Sequence, residues 1–534
     1  MRGALHWLRP EWLRIALSLL ILALFYDFVI SAGHMTMWPS YSSYYDNQAE
    51  GFRAGHLYTA LEPNPNLLSA ADPLDYVNRP WWNWDYSFYQ GHVHIYWGLA
   101  PAALLALAKM LFAIHEPVDD AVVVFVFLLG RALLGHLTLV SLARRLVSPP
   151  PGWAVSLAWW VFVLANPVPF VMARSAVYEG ALAAGACFST AALYFALRWF
   201  GSERRVQDWP LLAATSLMLG LAATSRVSLF PAAASFLALI FLSGLYNRGA
   251  LPLHLPTAPG GGERTASWRA MLARALGLAP ALALPFMAIA LAQFSANYLR
   301  FGAWNEFGAR YQMGFSLAIG PEYAPANLWT YLFHPVHRTC EFPYFIAKSH
   351  LDHPFAHMPH WLTAPKPYFE EPVAGVLGSI PFVWLLPGSV LLRLIPRCNA
   401  ARPAVSEPLR WFQAVLVSSI VVGTGPLLLV MAYTMRYELE FASALVIASA
   451  WAGWSGFGML QKVGKWGRWA ARAFYVGVSL SSIAIGLLYG FTGYYEHFAT
   501  HNGELFATLQ RTLSLCPVLA ARPADAAPPT SSER

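Results

Sequence analysis

The sequence has 534 residues, of which 57% are hydrophobic and only 12% are charged, and its formal net charge is +7. An average soluble protein carries about 25% charged residues, so this composition excludes a globular protein covered by water and indicates one covered by lipid. The basic residues form short clusters beside apolar runs without a recognition motif. We therefore expect no nucleic-acid partner.

Apolar runs of membrane-spanning length recur along the chain. A hydrocarbon core of about 30 Å requires about 20 residues of helix. Twelve runs reach or approach that length, near residues 12–31, 96–114, 120–142, 153–172, 177–197, 209–225, 228–246, 273–297, 373–395, 411–433, 439–458 and 473–493. The sequence therefore predicts an all-α polytopic protein in a lipid bilayer, with 11 or 12 transmembrane helices.

Basic clusters between the runs predict the sidedness of the chain. Six such clusters lie at the N-terminus and near residues 144–145, 198–205, 248–274, 393–402 and 462–472. The positive-inside rule places all of them, and hence the N-terminus, in the cytoplasm. Two crossings between residue 95 and Arg144 would violate this scheme. Either the run at 96–114 is re-entrant or interfacial, or the Arg144–Arg145 pair breaks the rule.

The remaining connectors define the expected organisation. Two long external loops, 32–95 and 298–372, are rich in Trp, Tyr, Pro, His and Asp, which is typical of functional rather than disordered connectors. We expect an N-terminal transmembrane module (1–297) that includes the catalytic first loop, the large external loop (298–372), C-terminal helices (373–493) and a partly disordered external tail (494–534). Cys340 and Cys516 both fall on the external side, where an oxidising compartment would allow a disulfide.

Carboxylates on the external side are the candidate catalytic groups. Asp46 begins a short amphipathic segment, and Asp85 precedes an aromatic stretch leading into the next run. A transferase that activates a hydroxyl or amine needs one such carboxylate as general base. Glu179 starts a span from the outer side, where a charge is costly enough to suggest function. The structural alternatives are helix capping for Asp46 and a buried pair with Arg174 for Glu179.

Arginines at the outer ends of spans are the candidate phosphate-binding groups, because the planar guanidinium matches phosphate oxygens. They are Arg226, Arg300, Arg310 and Arg436. The segment 297–312 is the densest cluster of aromatic and charged residues in the chain, although an interfacial aromatic belt would look similar. The candidate substrate-binding residues are Tyr45, Tyr89, Glu306 and Tyr311.

Short motifs in both external loops carry a family resemblance that runs from about residue 12 to 440. They are Gly55-His56-Leu57-Tyr58, Asp72-Pro73-Leu74-Asp75, Asp85-Tyr86-Ser87, Tyr96-Trp97-Gly98-Leu99-Ala100-Pro101, Arg300-Phe301-Gly302 and Glu306-Phe307-Gly308-Ala309-Arg310-Tyr311. With these motifs the chain resembles a bacterial branch of the GT-C superfamily of membrane glycosyltransferases. That superfamily includes the protein O-mannosyltransferases and the lipid A aminoarabinose transferase.

The resemblance implies a GT-C fold and an inverting transfer of a sugar from a polyprenyl-phosphate donor to a lipid, glycan or protein acceptor. It implies a first-loop carboxylate as base, which by position is Asp46 with Asp85 as the competing choice. It further implies Glu179 as a second acid that helps to bind a divalent metal such as Mg or Mn. The active site would face the periplasm from a bacterial inner membrane.

A transporter or flippase for a lipid-linked or anionic substrate is the alternative function. Transporters place binding groups at the bilayer midplane on broken helices. Here the middles of the spans are almost free of charge, and acids and arginines gather in the external loops. This placement favours the enzyme.

Overall fold

Helices form most of the computed structural model, which describes residues 10–202, 208–246, 268–314, 318–347, 359, 361–363, 365–396, 404–460, 464–494 and 496–516. The helices up to residue 301 are α1 (Pro10–Ile30), α2 (Tyr44–Arg53), α3 (Pro65–Ser69), α4 (Ala100–Leu111), α5 (Asp120–Ala143), α6 (Gly152–Leu164), α7 (Val168–Met172), α8 (Val177–Phe200), α9 (Trp209–Ser225), α10 (Phe230–Tyr246) and α11 (Trp268–Phe301). The later helices are α12 (Ala324–Phe333), α13 (Val376–Ser379), α14 (Leu385–Leu394), α15 (Glu407–Leu428), α16 (Leu439–Leu460), α17 (Lys465–Thr492), α18 (His497–His501) and α19 (Gly503–Leu513).

Helix covers each of the twelve apolar runs. Within the described residues, nine helical segments are long and apolar enough to cross a membrane, and Ala100–Leu111, Trp209–Ser225 and Pro381–Leu394 are shorter apolar helices. The all-α polytopic prediction is therefore confirmed, and the chain is an integral membrane protein.

Extended structure in the described part of the chain is limited to short pairs in and beside the external loops. Strands β1 (Ser87–Tyr89) and β2 (His92–His94) form an antiparallel hairpin. A second antiparallel pair joins β3 (His337–Arg338) to β4 (Phe345–Ile346). Strand β5 (Phe369–Glu370) runs parallel to β6 (Ala432–Tyr433), so the end of the large external loop lies against the segment before α16.

Helix α4 is the run whose crossing the sequence left open. Its 12 residues span about 18 Å at 1.5 Å per residue, well short of a hydrocarbon core of about 30 Å. Its Lys109 is 1% exposed and forms ion pairs with Asp46 and Glu50 of α2. Helix α4 is therefore docked on the first external loop, and its length favours the re-entrant or interfacial alternative for the run at 96–114.

Side-chain contacts show which helix ends share a side. Tyr178 at the start of α8 bonds to Asp85 of the first loop, and Arg436 before α16 pairs with Glu179. At the opposite end of α8, the Arg145 guanidinium that follows α5 lies against Gly201. The outer ends of these spans thus meet around the first external loop, as the basic clusters predicted.

Small residues in α8 allow this loop to approach the bundle closely. A Cβ at Gly180 would lie 2.7 Å from the ring of Tyr45, and one at Gly185 would lie 2.8 Å from Leu229. Small residues at such positions let helices and loops pack backbone to side chain in a membrane. Tyr45 therefore seats α2 directly on the outer end of α8.

The C-terminal segment is attached to the large external loop. Cys340 and Cys516 form a disulfide, which confirms the pairing expected from their shared side. The predicted external tail, 494–534, contains α18 and α19 within its described part, and the residues expected to be disordered, after Cys516, lie outside the described residues.

Candidate active site

The backbone of Asp85 is held between the two external loops. Its N–H donates to the Met313 carbonyl at 3.1 Å, and the Met313 N–H donates to the Tyr86 carbonyl at 2.7 Å. Asp85 adopts a left-handed conformation with φ of 61°, a region that Asp tolerates better than most residues but that still needs surrounding support. The hairpin that follows, β1–β2, and the segment around Met313 therefore fix the direction of this carboxylate.

The Asp85 carboxylate belongs to a polar network made by three separate segments. The Tyr178 hydroxyl donates to Asp85 Oδ1 at 2.9 Å, and Gln312 Nε2 approaches the same oxygen at 3.4 Å. Tyr96 completes the network, because its hydroxyl lies 2.5 Å from that of Tyr178 and accepts from Gln312 at 3.0 Å. All four side chains are only partly buried, so solvent reaches part of the network, and we call the surface around it the cleft.

The position of Asp85 makes it a stronger base than an exposed aspartate. Burial raises the pKa of the Asp85 carboxyl above its ordinary value. The hydrogen bond from Tyr178 and the charges of Arg174 and Arg436 oppose this effect without cancelling it. A raised pKa brings a carboxylate closer to the range in which general bases are effective at neutral pH.

Arg436 contacts the ring of the same Tyr178 whose hydroxyl binds Asp85. Its Cζ is 4.4 Å from the centroid of the Tyr178 ring. Its two terminal nitrogens donate to Glu179 Oε1 at 3.0 Å and to Glu371 Oε1 at 2.9 Å. All three charged side chains are at most 10% exposed, so the ion pairs hold the guanidinium in one orientation.

Two further arginines lie near Arg436. Arg226 forms an ion pair of 2.8 Å with Glu440, and its Cζ lies 4.9 Å from the ring of Tyr437. Arg174 lies over the ring of Tyr494 at 4.7 Å, and Arg436 lies 5.3 Å from the same ring. Arg174 and Arg226 are partly exposed, whereas Arg436 is buried.

Four of the predicted charged residues are therefore assembled in one place, namely Asp85, Glu179, Arg226 and Arg436. Glu179 pairs with Arg436, which is 257 residues away in sequence. The buried partner that the sequence suggested for Glu179 was Arg174.

The other predicted charged residues make different contacts. Asp46 accepts from Lys109 at 2.6 Å and is 5% exposed. Arg300 donates to the Ile95 carbonyl and to Asn297, each at 3.0 Å, so it ties α11 to the end of the hairpin β1–β2. Arg310 is exposed on the large external loop. A role for Arg300 or Arg310 in binding phosphate stays a prediction.

The predicted substrate-binding residues lie near the hairpin and at the base of α2. Tyr45 is fully buried and donates to the Val177 carbonyl at 3.3 Å. Tyr89 and Tyr311 pack with ring centroids 4.4 Å apart. Glu306 accepts from the Gly308 N–H at 2.6 Å, within its own turn. Burial gives Tyr45 a structural role, and a substrate contact for the other three stays a prediction.

Sequence reasoning missed several members of the site. Tyr178 and Gln312, which touch Asp85, and Glu371, which holds Arg436, carry no motif of their own. Tyr178 had one available signal, since it directly precedes an acid at the outer end of a span. Glu371 had none, because it reaches Arg436 only through the pairing of β5 with β6.

The acids of the site do not fit the divalent metal implied by the resemblance. Glu179 and Glu371 each direct one oxygen at Arg436, so the guanidinium occupies the space between them. Within the described residues there is no group of three or more His, Cys, Asp or Glu side chains arranged to hold a metal ion. Three or more such ligands are the usual protein contribution to a tightly bound metal.

Comparisons with known proteins identify similar folds and no close relative. No family model matches the chain, and no curated protein matches it. Solved structures similar to it include the archaeal oligosaccharyltransferase AglB from Archaeoglobus fulgidus in complex with an inhibitory peptide and a dolichol-phosphate, at 12% identity and a TM-score of 0.44. That match covers 92% of this chain and 56% of AglB, so the chain spans about half the length of that enzyme.

A second similar structure is ArnT from Cupriavidus metallidurans bound to undecaprenyl phosphate, at 13% identity and a TM-score of 0.41, covering 94% of this chain and 79% of ArnT. Another A. fulgidus oligosaccharyltransferase structure, in complex with Zn and sulfate, matches at 12% identity and a TM-score of 0.40, covering 88% of this chain and 52% of that one. These matches report a likeness of fold alone. Their identities and TM-scores are too low to transfer the role of any residue.

Proposed function

We propose that this protein is a membrane glycosyltransferase that moves a sugar from a polyprenyl-phosphate donor to an acceptor outside the cytoplasm, with Asp85 as general base. One observation carries the proposal. A half-buried carboxylate and a buried arginine both contact Tyr178, whose hydroxyl donates to Asp85 and whose ring lies 4.4 Å from Arg436 Cζ. A base and a phosphate-stabilising cation are the two groups that such a displacement requires.

In the proposed reaction, Asp85 takes the proton of the acceptor hydroxyl or amine as that atom attacks the anomeric carbon. The bond from this carbon to the phosphate oxygen breaks on the opposite face of the sugar, and the configuration is inverted. The polyprenyl phosphate leaves with the electron pair of the broken bond. Arginine side chains then stabilise the negative charge that develops on the phosphate.

The three clustered arginines are the groups that we assign to the donor phosphate. Glu179, Glu371 and Glu440 hold Arg436 and Arg226 in position before a ligand arrives. Within the described part of the chain, Arg436 Nε is buried without a hydrogen-bond partner, so the two carboxylates leave one N–H of the clamped guanidinium unsatisfied. Holding donors in place before the reaction avoids the cost of reorganising them at the transition state.

The choice of Asp85 over Asp46 follows from their contacts. Asp46 is neutralised by Lys109 in the interface between α2 and α4, where a substrate proton has no access to it. Asp85 lies in the cleft with a raised pKa. Both residues belong to the first external loop, so the family resemblance by itself is compatible with either one as the base.

The test is transfer from radiolabelled polyprenyl-phosphate sugars by the purified protein in nanodiscs. We expect Asp85→Asn to lower the rate about 10²–10⁴-fold, the usual contribution of a general base, while binding of undecaprenyl phosphate is retained. Asp119→Asn is the matched control, because it makes the same change outside the proposed site, before α5, and Asn can keep the helix cap on Ala121. Transfer by Asp85→Asn at the wild-type rate would refute the assignment.

The sidedness of this site is part of the proposal. We place the N-terminus in the cytoplasm and the cleft on the periplasmic face of a bacterial inner membrane, on the strength of the basic clusters. Reporters inserted after Arg145 and after Ser175 should be found on opposite sides, inside and outside respectively. Detection of both on one side would contradict the arrangement.

A further inference from the structure

An exposed aromatic patch precedes Asp85 on the first external loop. It consists of Tyr76, Arg79, Trp81, Trp82 and Trp84, and we call it the Trp84 patch. Tyr76 is 66% exposed, and Trp81 and Trp84 are 37% and 36% exposed. Rings of this size are rarely left uncovered in water without a binding role.

The rings of the Trp84 patch are held in place by one another and by a cation. Arg79 Cζ lies 4.9 Å from the ring of Trp84 and 5.3 Å from that of Tyr76, and Arg79 also donates to the Tyr76 hydroxyl. Trp82 packs edge-on against Trp84 at 5.8 Å and donates its Nε1–H to the Pro73 carbonyl at 3.0 Å. Fixed rings lose little entropy when a ligand stacks on them.

The surroundings of the patch are those of a surface in water. Asp72 and Asp75 are exposed and stand four and one residues before Tyr76. Each binds a backbone N–H of its own turn, at Leu74 and Val77, which fixes both carboxylates beside the rings. Ionised carboxylates at this position would be costly in hydrocarbon, so the patch faces solvent rather than lipid tails.

The patch is continuous with the cleft. Trp84 directly precedes Asp85, and its carbonyl accepts from the Tyr44 hydroxyl at 2.6 Å. Tyr44 in turn stacks on Tyr86 at 4.1 Å, on the far side of Asp85 in sequence. The Trp84 patch therefore adjoins the segment that carries the proposed base.

We propose that the Trp84 patch is the acceptor-binding surface and that the acceptor is a carbohydrate chain, an inference that rests on the proposed glycosyltransferase function. Sugar rings offer flat C–H faces to aromatic side chains and hydroxyl groups to neighbouring polar side chains. The patch supplies both, as rings from Tyr76 and Trp84 and as hydrogen-bonding groups from Asp72, Asp75 and Arg79. With two acids beside one arginine, it carries no excess of positive charge that would select a polyanion.

The test measures binding without a donor and therefore without transfer. The wild-type protein in nanodiscs is mixed with chitohexaose, mannohexaose or maltohexaose, and saturation-transfer NMR reports which sugar protons touch the protein. We expect binding of at least one hexasaccharide, about tenfold weaker in Trp84→Ala and partly restored in Trp84→Phe, as for loss of one aromatic contact. Trp466→Ala is the matched control, since Trp466 is 78% exposed and lies beside the Lys465 ammonium on the predicted cytoplasmic side.

The possible outcomes separate this inference from the proposed function. Equal binding by wild type and Trp84→Ala, or no binding of any of the three hexasaccharides, would overturn the inference while leaving the Asp85→Asn result unaffected. Quenching of Trp84 fluorescence by brominated lipids, measured as the difference between wild type and Trp84→Phe, would instead assign the patch to the bilayer interface.

Discussion

Replacement of Lys109 by methionine tests whether Asp46 is a structural anchor. Lys109 Nζ lies 2.6 Å from Asp46 Oδ1 and 2.5 Å from Glu50 Oε1, with Lys109 and Asp46 side chains 1% and 8% exposed. Methionine has a similar length and no charge, so the change leaves Asp46 as a buried carboxylate without its cation. Breaking a buried ion pair in this way costs about 3–5 kcal/mol. Glu50 adds little, because it is one-third exposed and reaches water.

The measurement is the free energy of unfolding of the detergent-solubilised protein, with the thermal midpoint at a fixed scan rate as a second readout. Lys109→Met should lose most of the 3–5 kcal/mol expected for a buried pair. The double variant Asp46→Asn with Lys109→Met removes both charges and should recover to within about 1–2 kcal/mol of wild type, since the two positions are directly coupled. The double variant should also transfer sugar, because the proposed base, Asp85, is intact.

Two results would refute this reasoning. A loss below about 0.5 kcal/mol in Lys109→Met would show that the pair behaves as an exposed one. A double variant that is stable but transfers no sugar would make Asp46, and not Asp85, the base.

Three further predictions concern the site and the same ion pairs. Tyr178→Phe removes the hydrogen bond that opposes the effect of burial on the pKa of Asp85, so the acid limb of the rate–pH profile should move to higher pH. An unchanged acid limb would show that Tyr178 does not affect the pKa of the catalytic base. Arg436→Lys should lower the transfer rate about 10²-fold, because an ammonium cannot bind two carboxylates and a phosphate in the planar geometry of a guanidinium. Retention of the wild-type rate would exclude Arg436 from the reaction. Burial alone would raise the pKa of Glu50, but the hydrogen bonds it accepts, first from Lys109, leave that pKa lowered. The contribution of Glu50 to stability is therefore present above its unfolded pKa of about 4.5 and is lost as the pH falls through the folded value. In Glu50→Gln, the free energy of unfolding should fall less steeply over this acidic range.

The helices could be predicted from the sequence alone. An apolar run long enough to cross a bilayer has few other stable conformations, because every backbone polar group must be satisfied within the segment. The twelve runs accordingly coincide with helices, and the basic clusters correctly grouped the outer ends of the spans that carry Asp85, Glu179, Arg226 and Arg436. The length of an apolar run and the charge of the segment beside it are local properties of the sequence, so they predict helices without knowledge of the packing.

The status of α4 required the tertiary structure. The run at 96–114 is apolar enough to suggest a span, and the sequence offered only a conflict with Arg144 and Arg145. The structure resolves the conflict through Lys109, whose charge is buried against α2. The ion-pair partners of Lys109 are distant in sequence, so they can be identified only from the tertiary structure.

The membership of the site was decided in the same way. Composition and spacing selected external acids and arginines as a class, and they left Asp46 and Asp85 as rival bases. Only the fold pairs Asp46 with Lys109 and turns Asp85 towards Tyr178. The sequence by itself thus determined the membrane embedding and the helices, and it grouped the charged residues at one end of the spans, since these properties depend on local solvation. The tertiary structure decided which of those charges neutralise one another and which face the cleft, because ion pairs such as Arg436 with Glu179 and Glu371 depend on packing between distant segments.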